Sequence, residues 1–257
     1  MPSHGDVPSP ELVAGVLEHV GTLLIVDDGS DRTTAARLDA IATTDGVELV
    51  RLPRRRGKGS AVRAGVEHLL ARRFPPRAVL LIDADGQHPP AAIPLFLAAG
   101  RAADVVVGDR FGNLGAMPLQ RRVANLATQR LFQLVTGCAV RDTQNGMRLL
   151  RGRALESLPP GGYEAETRHL RRVLRDGLTV AWVPVPALYG DERSSFRAWR
   201  DGARVLWAVV RPAAPASPSP GRSPLPEPSR SARRWRSAFR GTRATAPPEP
   251  QARTAAP

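Results

Sequence analysis

Lysine is almost missing from this chain: Lys58 is the only one among 37 basic side chains, the rest being arginine. Cysteine is equally scarce. The single Cys138 excludes an internal disulfide framework, and no Cys/His spacing has the form of a zinc site. That fits a reducing compartment. Long apolar runs are absent too, the longest, such as residues 205–210, falling far short of the roughly 18–20 that span a bilayer. The opening MPSHGDVPSP lacks the charged-then-apolar order of a secretion signal. Together these absences lead us to expect a cytosolic chain, neither secreted nor membrane-spanning.

What is present is a domain-sized core and a strong positive charge. The 257 residues are 42% apolar, enough to bury a real interior. The formal net charge of +13 is uneven: residues 212–257 carry eight arginines against two glutamates, together with 11 of the 25 prolines. Such a composition cannot bury enough surface to fold, so 212–257 reads as a disordered basic tail, attractive to anions in general.

Residues 1–211 alternate between two periods. Short runs rich in Val, Ile and Leu occur at 22–26, 47–52, 78–82, 104–107 and 178–183. Helical spacing occupies roughly 31–44, 57–73, 89–100, 117–136, 163–176 and 196–211. Strands apolar on both faces, alternating with helices, predict an α/β fold with a mostly parallel sheet flanked by helices. Ligands of such sheets bind beyond the carboxyl ends of the strands. There the chain places VDDGSD, DADGQH and GDR.

Each of these has a bland explanation. IVDDGSD is compatible with a helix N-cap by Asp28, Ser30 or Asp31, and DADGQH with an Asx-type turn before Pro89–Pro90. Together they concentrate carboxylates on one rim, which is unfavourable unless something positive sits there. A divalent cation of the Mg²⁺ or Mn²⁺ type, completed by a diphosphate, solves this with hard oxygen ligands, and Gln87 would add a neutral one. The RRRGKGSA stretch is not a Walker A loop, since position 52 is leucine and Lys58 precedes glycine. It still reads as a glycine-flanked helix start suited to an anion, with one compact lysine kept where arginine is otherwise the rule.

LLIVDDGSDRT, RRRGKGSAVRAG, LLIDADGQHPP, VVGDR, VTGCAVRDTQNGMRLL, YEAETRHLRR and VPVPALYGDERSSF follow one another in order. Over roughly residues 11–211 this series resembles the family-2 glycosyltransferases of the GT-A (Rossmann-like) fold, in particular polyprenyl-phosphate and dolichol-phosphate mannosyl- and glucosyltransferases. The resemblance implies an inverting, metal-dependent hexosyltransferase that takes GDP-mannose or UDP-glucose type donors and a polyprenyl phosphate acceptor. It implies that Asp28 contacts the nucleotide base, that Lys58 lies near the nucleotide, and that Asp83 faces ribose and diphosphate. Asp85 and Gln87 would hold the metal. Arg110, Arg122 and Arg148 would meet the acceptor phosphate, Asp142, Gln144 and Glu166 would line the sugar pocket, and Arg193 would close over the site. A phosphate acceptor is already ionised, so its oxygen can attack the anomeric carbon without a strong general base. The departing diphosphate is what needs stabilising.

A lipid acceptor calls for membrane contact. Residues 195–211 place Phe196, Trp199, Leu206 and Val210 near one helical face among arginines, the pattern of an interfacial helix on an anionic membrane surface. The chain thus divides into 1–10, expected to be disordered, a glycosyltransferase domain over 11–194, the 195–211 helix and the tail. Its expected location is peripheral, on the inner face of the cytoplasmic membrane. No specific nucleic acid is expected. Relatives open on an apolar strand ending in a Pro-x-Tyr/Leu-Asn-Glu-like segment, and the reading here is that this first strand is lacking. Two alternatives follow: transfer to a sugar hydroxyl with Asp142 or Glu166 as base, or a degenerate, inactive relative serving as a basic membrane-associated protein.

Overall fold

The computed structural model describes residues 1–110, 119–186 and 207–210, apart from the side chains of residues 119–122, 124 and 125. All lie in the first of the two units into which the chain divides, Met1–Pro215. The expected tail at 212–257 and most of the expected 195–211 helix fall outside the described residues, although 207–210 are helical.

Alternation of strand and helix runs through the domain. In order come β1 (Pro2–Ser3), α1 (Pro10–Leu17), β2 (Leu23–Asp27), α2 (Arg32–Ile41), β3 (Val47–Arg51), α3 (Lys58–Leu70) and β4 (Ala78–Leu81). A 3₁₀ turn at Pro90–Ala92 leads into α4 (Ile93–Ala99). Then follow β5 (Val105–Asp109), α5 (Leu119–Thr136), β6 (Arg148–Arg151), α6 (Arg153–Glu156), α7 (Glu164–Arg175) and β7 (Val180–Pro184). The five strands read from apolar runs all form, as β2, β3, β4, β5 and β7. All five residues of β2 and of β5 are buried, as strands covered on both faces should be.

One sheet has the order β1-β2-β3 and is parallel, with Ile25 opposite Leu49. The other has the order β4-β6-β5-β7. Here β5 and β7 are parallel, while β6 runs antiparallel to both its neighbours and sets Leu149 opposite both Leu80 and Val106. This is the α/β architecture expected, with one strand, β6, that the apolar runs did not reveal.

Residues 1–10 correct the expectation of disorder. The Val26 N–H donates to the Met1 carbonyl (2.9 Å) and the Asp28 N–H to the Ser3 carbonyl (2.8 Å), so β1 pairs with the end of β2. Buried N–H groups on β2 need acceptors, and a proline at position 2, lacking an N–H, forfeits no bond there. Ser9 then caps α1, its Oγ accepting from the Leu12 N–H at 3.2 Å, with Pro10 at the first helical position. Asp31, one of three cap candidates, caps α2 by accepting from Thr34 N–H at 2.7 Å. Helices on both sides then close the interior. Leu12, Val13 and Val16 of α1 join Ile93 and Phe96 of α4 in one buried cluster, and Val66 of α3 joins Val105, Val107 and Val173 in another.

α3 and α7 approach closely, which sets up the site. A Cβ on Gly59 would lie 2.2 Å from the Ala165 Cβ, so only glycine permits the contact. The Ser60 N–H donates to the Gly161 carbonyl (3.0 Å), and the Gly161 N–H donates back to Ser60 Oγ (3.1 Å). The start of α3 is thereby pinned to the turn that starts α7.

Candidate active site

Three loop ends meet at the carboxyl side of β2, β4 and β5. After β2, Asp28 is 2% exposed and accepts the backbone N–H of Arg56 at one oxygen (2.7 Å) and of Gly57 at the other (2.8 Å). Gly57 has φ 94° and Gly29 φ 68°, and a Cβ on Gly29 would lie 2.4 Å from the Arg54 carbonyl carbon. The turn after β2 is thus moulded onto the loop before α3. Asp28 departs here from its expected contact with a nucleotide base: both its oxygens hold the 54–57 loop, and through it Lys58.

Lys58 stands at the first position of α3 and bridges two carboxylates, Asp83 (2.8 Å) and Glu166 (2.7 Å). Its ammonium lies 5.7 Å from the centre of the Tyr163 ring. Burial alone would depress its pKa, but the charges of Asp83 and Glu166 outweigh this and hold it above the usual lysine value. Asp83 shows the mirror effect. Burial would raise its pKa, yet Lys58 and the His88 imidazole, whose Nε2 is 3.3 Å away, hold the carboxyl well below the ordinary carboxylate range. The fit is tight: a Cβ on Gly146 would lie 2.3 Å from Asp83 Oδ2 and 2.9 Å from Lys58 Nζ. The ammonium and the Asp83 carboxylate thus pack against bare backbone that only glycine supplies at position 146.

Asp85 sits apart from this pair. One of its oxygens accepts the Gln87 N–H at 3.0 Å in an Asx turn, and Asp85 and Gln87 are half-buried. Beside it stands a residue the sequence reading passed over, Asp6. Burial, and then the charges of Asp85 and Asp83, push the Asp6 carboxyl up, while His4 pulls it down. The 3–6 segment is laid on the end of β2: His4 Nδ1 is 3.0 Å from the Asp28 carbonyl, and the Gly5 N–H donates to Ser30 Oγ at 3.2 Å.

Among the described residues no three His, Cys, Asp or Glu side chains converge as a ready-made metal cage. The donor set nevertheless fits a divalent cation. The charge of Asp85 raises the cost of ionising Asp6, a repulsion such a cation relieves, and Mg²⁺ or Mn²⁺ is typically held by one or two carboxylates plus phosphate and water.

The DTQNGMR stretch is the third loop. Asp142 is 2% exposed and receives a two-point contact from Arg110, Nε to Oδ2 at 2.7 Å and Nη2 to Oδ1 at 3.0 Å. Its Oδ1 also accepts the Gln144 N–H at 3.1 Å. Asp142 therefore orients Arg110 rather than lining a sugar pocket directly; Gln144 is half-buried beside it. Next to this pair Arg141, its side chain 67% exposed, reaches Asp109 at 3.3 Å.

Arg148 is a correction. Expected to meet an acceptor phosphate, it is 1% exposed and donates to three carbonyls: Asn145 (2.8 Å), Thr143 (2.8 Å) and Glu166 (2.9 Å). It ties the 143–145 loop to the first turn of α7 and so sets where Glu166 meets Lys58. Nothing in the sequence distinguishes an arginine that binds carbonyls from one that binds phosphate. Arg122 lies on α5, its side chain outside the description, and Arg193 lies outside the described residues.

Behind the Lys58 cluster His169 is 1% exposed, its Nε2 3.0 Å from the Ala154 carbonyl. Burial, then the Arg148 charge, bring its pKa from 6.5 down to about 3. The folded chain keeps this ring neutral while the unfolded chain protonates it near pH 6.5, so stability is full above pH 6.5 and is lost as pH falls toward 3. Between pH 6.5 and 5 the loss from this group should reach about 2 kcal/mol. Urea unfolding at the two pH values measures it, and His169→Gln should flatten that slope.

The chain matches the family described as glycosyl transferase family 2 over residues 11–158. It is 27% identical over 199 residues to the polyprenol monophosphomannose synthase of Mycolicibacterium smegmatis, covering 72% of this chain and 74% of that one. It is 28% identical over 197 residues to the undecaprenyl-phosphate mannosyltransferase of Micrococcus luteus, covering 72% and 80%. Among solved structures it is similar to glucosyl-3-phosphoglycerate synthase from Mycobacterium tuberculosis in complex with UDP, with a TM-score of 0.60 and 24% identity over 81% of this chain and 76% of that one. The same protein with Mn²⁺, UDP and phosphoglyceric acid gives a TM-score of 0.59 at 20% identity, over 81% and 75%. At these identities the structural likeness speaks for the fold.

Proposed function

The chain belongs to glycosyl transferase family 2, and from that premise we propose that it moves a hexosyl group from a GDP-mannose or UDP-glucose type donor to a polyprenyl phosphate, inverting the anomeric centre. One observation carries the choice of acceptor. Both carboxylates that would have to serve as base toward a hydroxyl are engaged by cations, Glu166 by Lys58 at 2.7 Å and Asp142 by Arg110 at 2.7 Å. A phosphate acceptor needs no base, because its oxygen is already charged. The two relatives named for polyprenol and undecaprenyl phosphate support the same reading.

In this reading Asp83 and Lys58 face the donor's ribose and diphosphate, with Asp28 holding the loop that presents Lys58. A divalent cation at Asp85 and Gln87, with Asp6 beside them, would supply positive charge to the departing diphosphate. Glu166 borders the sugar with Gln144. Arg110, fixed by Asp142, and the exposed Arg141 present guanidinium groups to the acceptor phosphate, for which the fork of arginine is suited. Arg122 and Arg193 are proposed to join them. In-line attack from the acceptor side, opposite the diphosphate, accounts for inversion. The place of action is the inner face of the cytoplasmic membrane.

A thermal-shift series on the full chain tests the donor site. UDP- and GDP-sugars are compared with and without Mn²⁺. One base should stabilise only when metal is present, by about 2.7 kcal/mol at a hundredfold excess over Kd. No shift with any sugar nucleotide, in a protein that melts cooperatively, would sink the proposal. Radiolabel that stays in the aqueous phase after organic extraction, with donor consumed, would move the acceptor to a hydroxyl compound.

A further inference from the structure

α5 carries its apolar residues on both sides. Inward, Phe132 is fully buried and Thr128 is 6% exposed. Outward, Val123 is 58% exposed, Leu134 83%, and Leu126 and Val135 also face solvent. Val123, Leu126, Arg130 and Leu134 follow at spacings of three and four, which aligns them in one row along the helix. A lone exposed leucine is ordinary; a row of them on one helix marks a contact surface. The 119–136 sequence has no acid and three arginines, Arg121, Arg122 and Arg130.

A second element extends this surface. Val209, fully buried, shares a cluster with Phe132 of α5, and Arg171 Nη1 donates to the carbonyls of Ala208 (3.2 Å) and Val209 (2.7 Å). That turn leaves Trp207 61% and Val210 55% exposed. Indole combines an apolar body with a polar N–H, the chemistry of the headgroup boundary.

We infer that α5, through its outward row and with Trp207 and Val210 alongside, docks on an anionic lipid surface. Charge decides the occupant: an exposed apolar row that includes Arg130, on a helix whose sequence holds three arginines and no acid, matches a negatively charged bilayer face. The position fits the acceptor side of the site. Gln129 Nε2 donates to the carbonyls of Val140 and Arg141, both at 2.6 Å, so α5 is fastened to the turn that bears Arg141 and Asp142. A bilayer resting on α5 brings lipid phosphates to the arginines assigned to the acceptor. The functional meaning of the surface rests on the polyprenyl-phosphate reading; the docking itself does not.

The experiment is co-sedimentation of the full chain with vesicles lacking any polyprenyl phosphate, made of phosphatidylcholine alone or with phosphatidylglycerol. The wild type should bind the anionic vesicles, and Val123→Glu/Leu134→Glu should weaken binding by at least about tenfold, since each change replaces a burying side chain by a charge of the membrane's own sign. The milder Leu134→Gln should fall between them, and an unchanged melting temperature would exclude misfolding. Metal-dependent stabilisation by the sugar nucleotide should be the same in all three. Equal binding by wild type and double variant, or no binding by wild type, overturns the docking surface. So does a dimer in solution that the double variant dissolves, which would make the row a self-association face. If vesicle binding depends on α5 but no lipid-extractable product forms, docking stands and the transferase reading fails alone.

Discussion

Lys58→Met is expected to abolish sugar transfer and to lower the melting midpoint at neutral pH by on the order of 10 °C. The reason is what remains behind. Asp83 and Glu166, with side chains 18% and 15% exposed, now share the ammonium at 2.8 and 2.7 Å. Removing it leaves two poorly solvated carboxylates facing one another, and breaking a buried pair from one side costs about 3–5 kcal/mol. The pH dependence should change sign. In the wild type the depressed pKa of Asp83 gives stability that is present above the unfolded value near 4 and is lost as pH falls below it. In the variant the two carboxylates compete for a proton, their pKa is raised, and the penalty shrinks as pH falls from 7 to 5. Melting curves at pH 7 and 5 measure this. A deficit unchanged between the two would mean that the carboxylates do not depend on Lys58. Lys58→Arg should rescue little, because a planar guanidinium does not reproduce the single compact charge that meets Asp83 at 2.8 Å and Glu166 at 2.7 Å.

Asp85→Asn should reduce transfer by about 10²–10³-fold while leaving the fold intact. Asp85 forms no ion pair with a protein cation among the described residues, and its contact with the backbone, accepting the Gln87 N–H at 3.0 Å, is one that an asparagine oxygen can also fill. What asparagine lacks is the charge. The carboxylate's negative charge raises the cost of ionising Asp6, so Asp6 should titrate lower in the variant, and the Mn²⁺-dependent part of the nucleotide thermal shift should vanish. A variant that transfers sugar at the wild-type rate would remove Asp85 from the cation site and leave Asp6 as the carboxylate to examine. The contrast between the two substitutions is diagnostic: one destabilises and inactivates, the other only inactivates.

The parts of this fold that were legible in the sequence are those written as periodicity. β2 and β5 announce themselves as unbroken apolar runs, because both faces are covered. β6 does not. Its four residues, Arg148–Arg151, begin and end in arginine, and the strand is recognised only through its pairing with β4 and β5 on either side. β1 was invisible for a related reason: two residues show no period. At the site, the carboxylates and Lys58 were legible by type and place. Their partners were not. Asp28, Asp142 and Arg148 were expected to touch ligand, and each is instead buried against protein, Asp28 and Arg148 entirely by backbone groups. Hydrogen bonds from side chains to distant backbone leave no trace in spacing, since any residue can supply the carbonyl or the N–H. Asp6 was missed because a single acid within MPSHGDVPSP stands in no apolar period and beside no other carboxylate in sequence.

The scarcity of lysine has a practical consequence for chemists. A reagent that acylates side-chain amines has one target in this molecule, and that target is 18% exposed, protonated and held between two carboxylates. Ammonium groups do not acylate, so Lys58 of the native chain resists such reagents; the Met1 α-amine is the other reactive amine, and a mass increment on the peptide that carries Lys58 records each molecule whose site has come apart. The protein thus carries a built-in reporter at the junction of three loops, readable by mass spectrometry without a label.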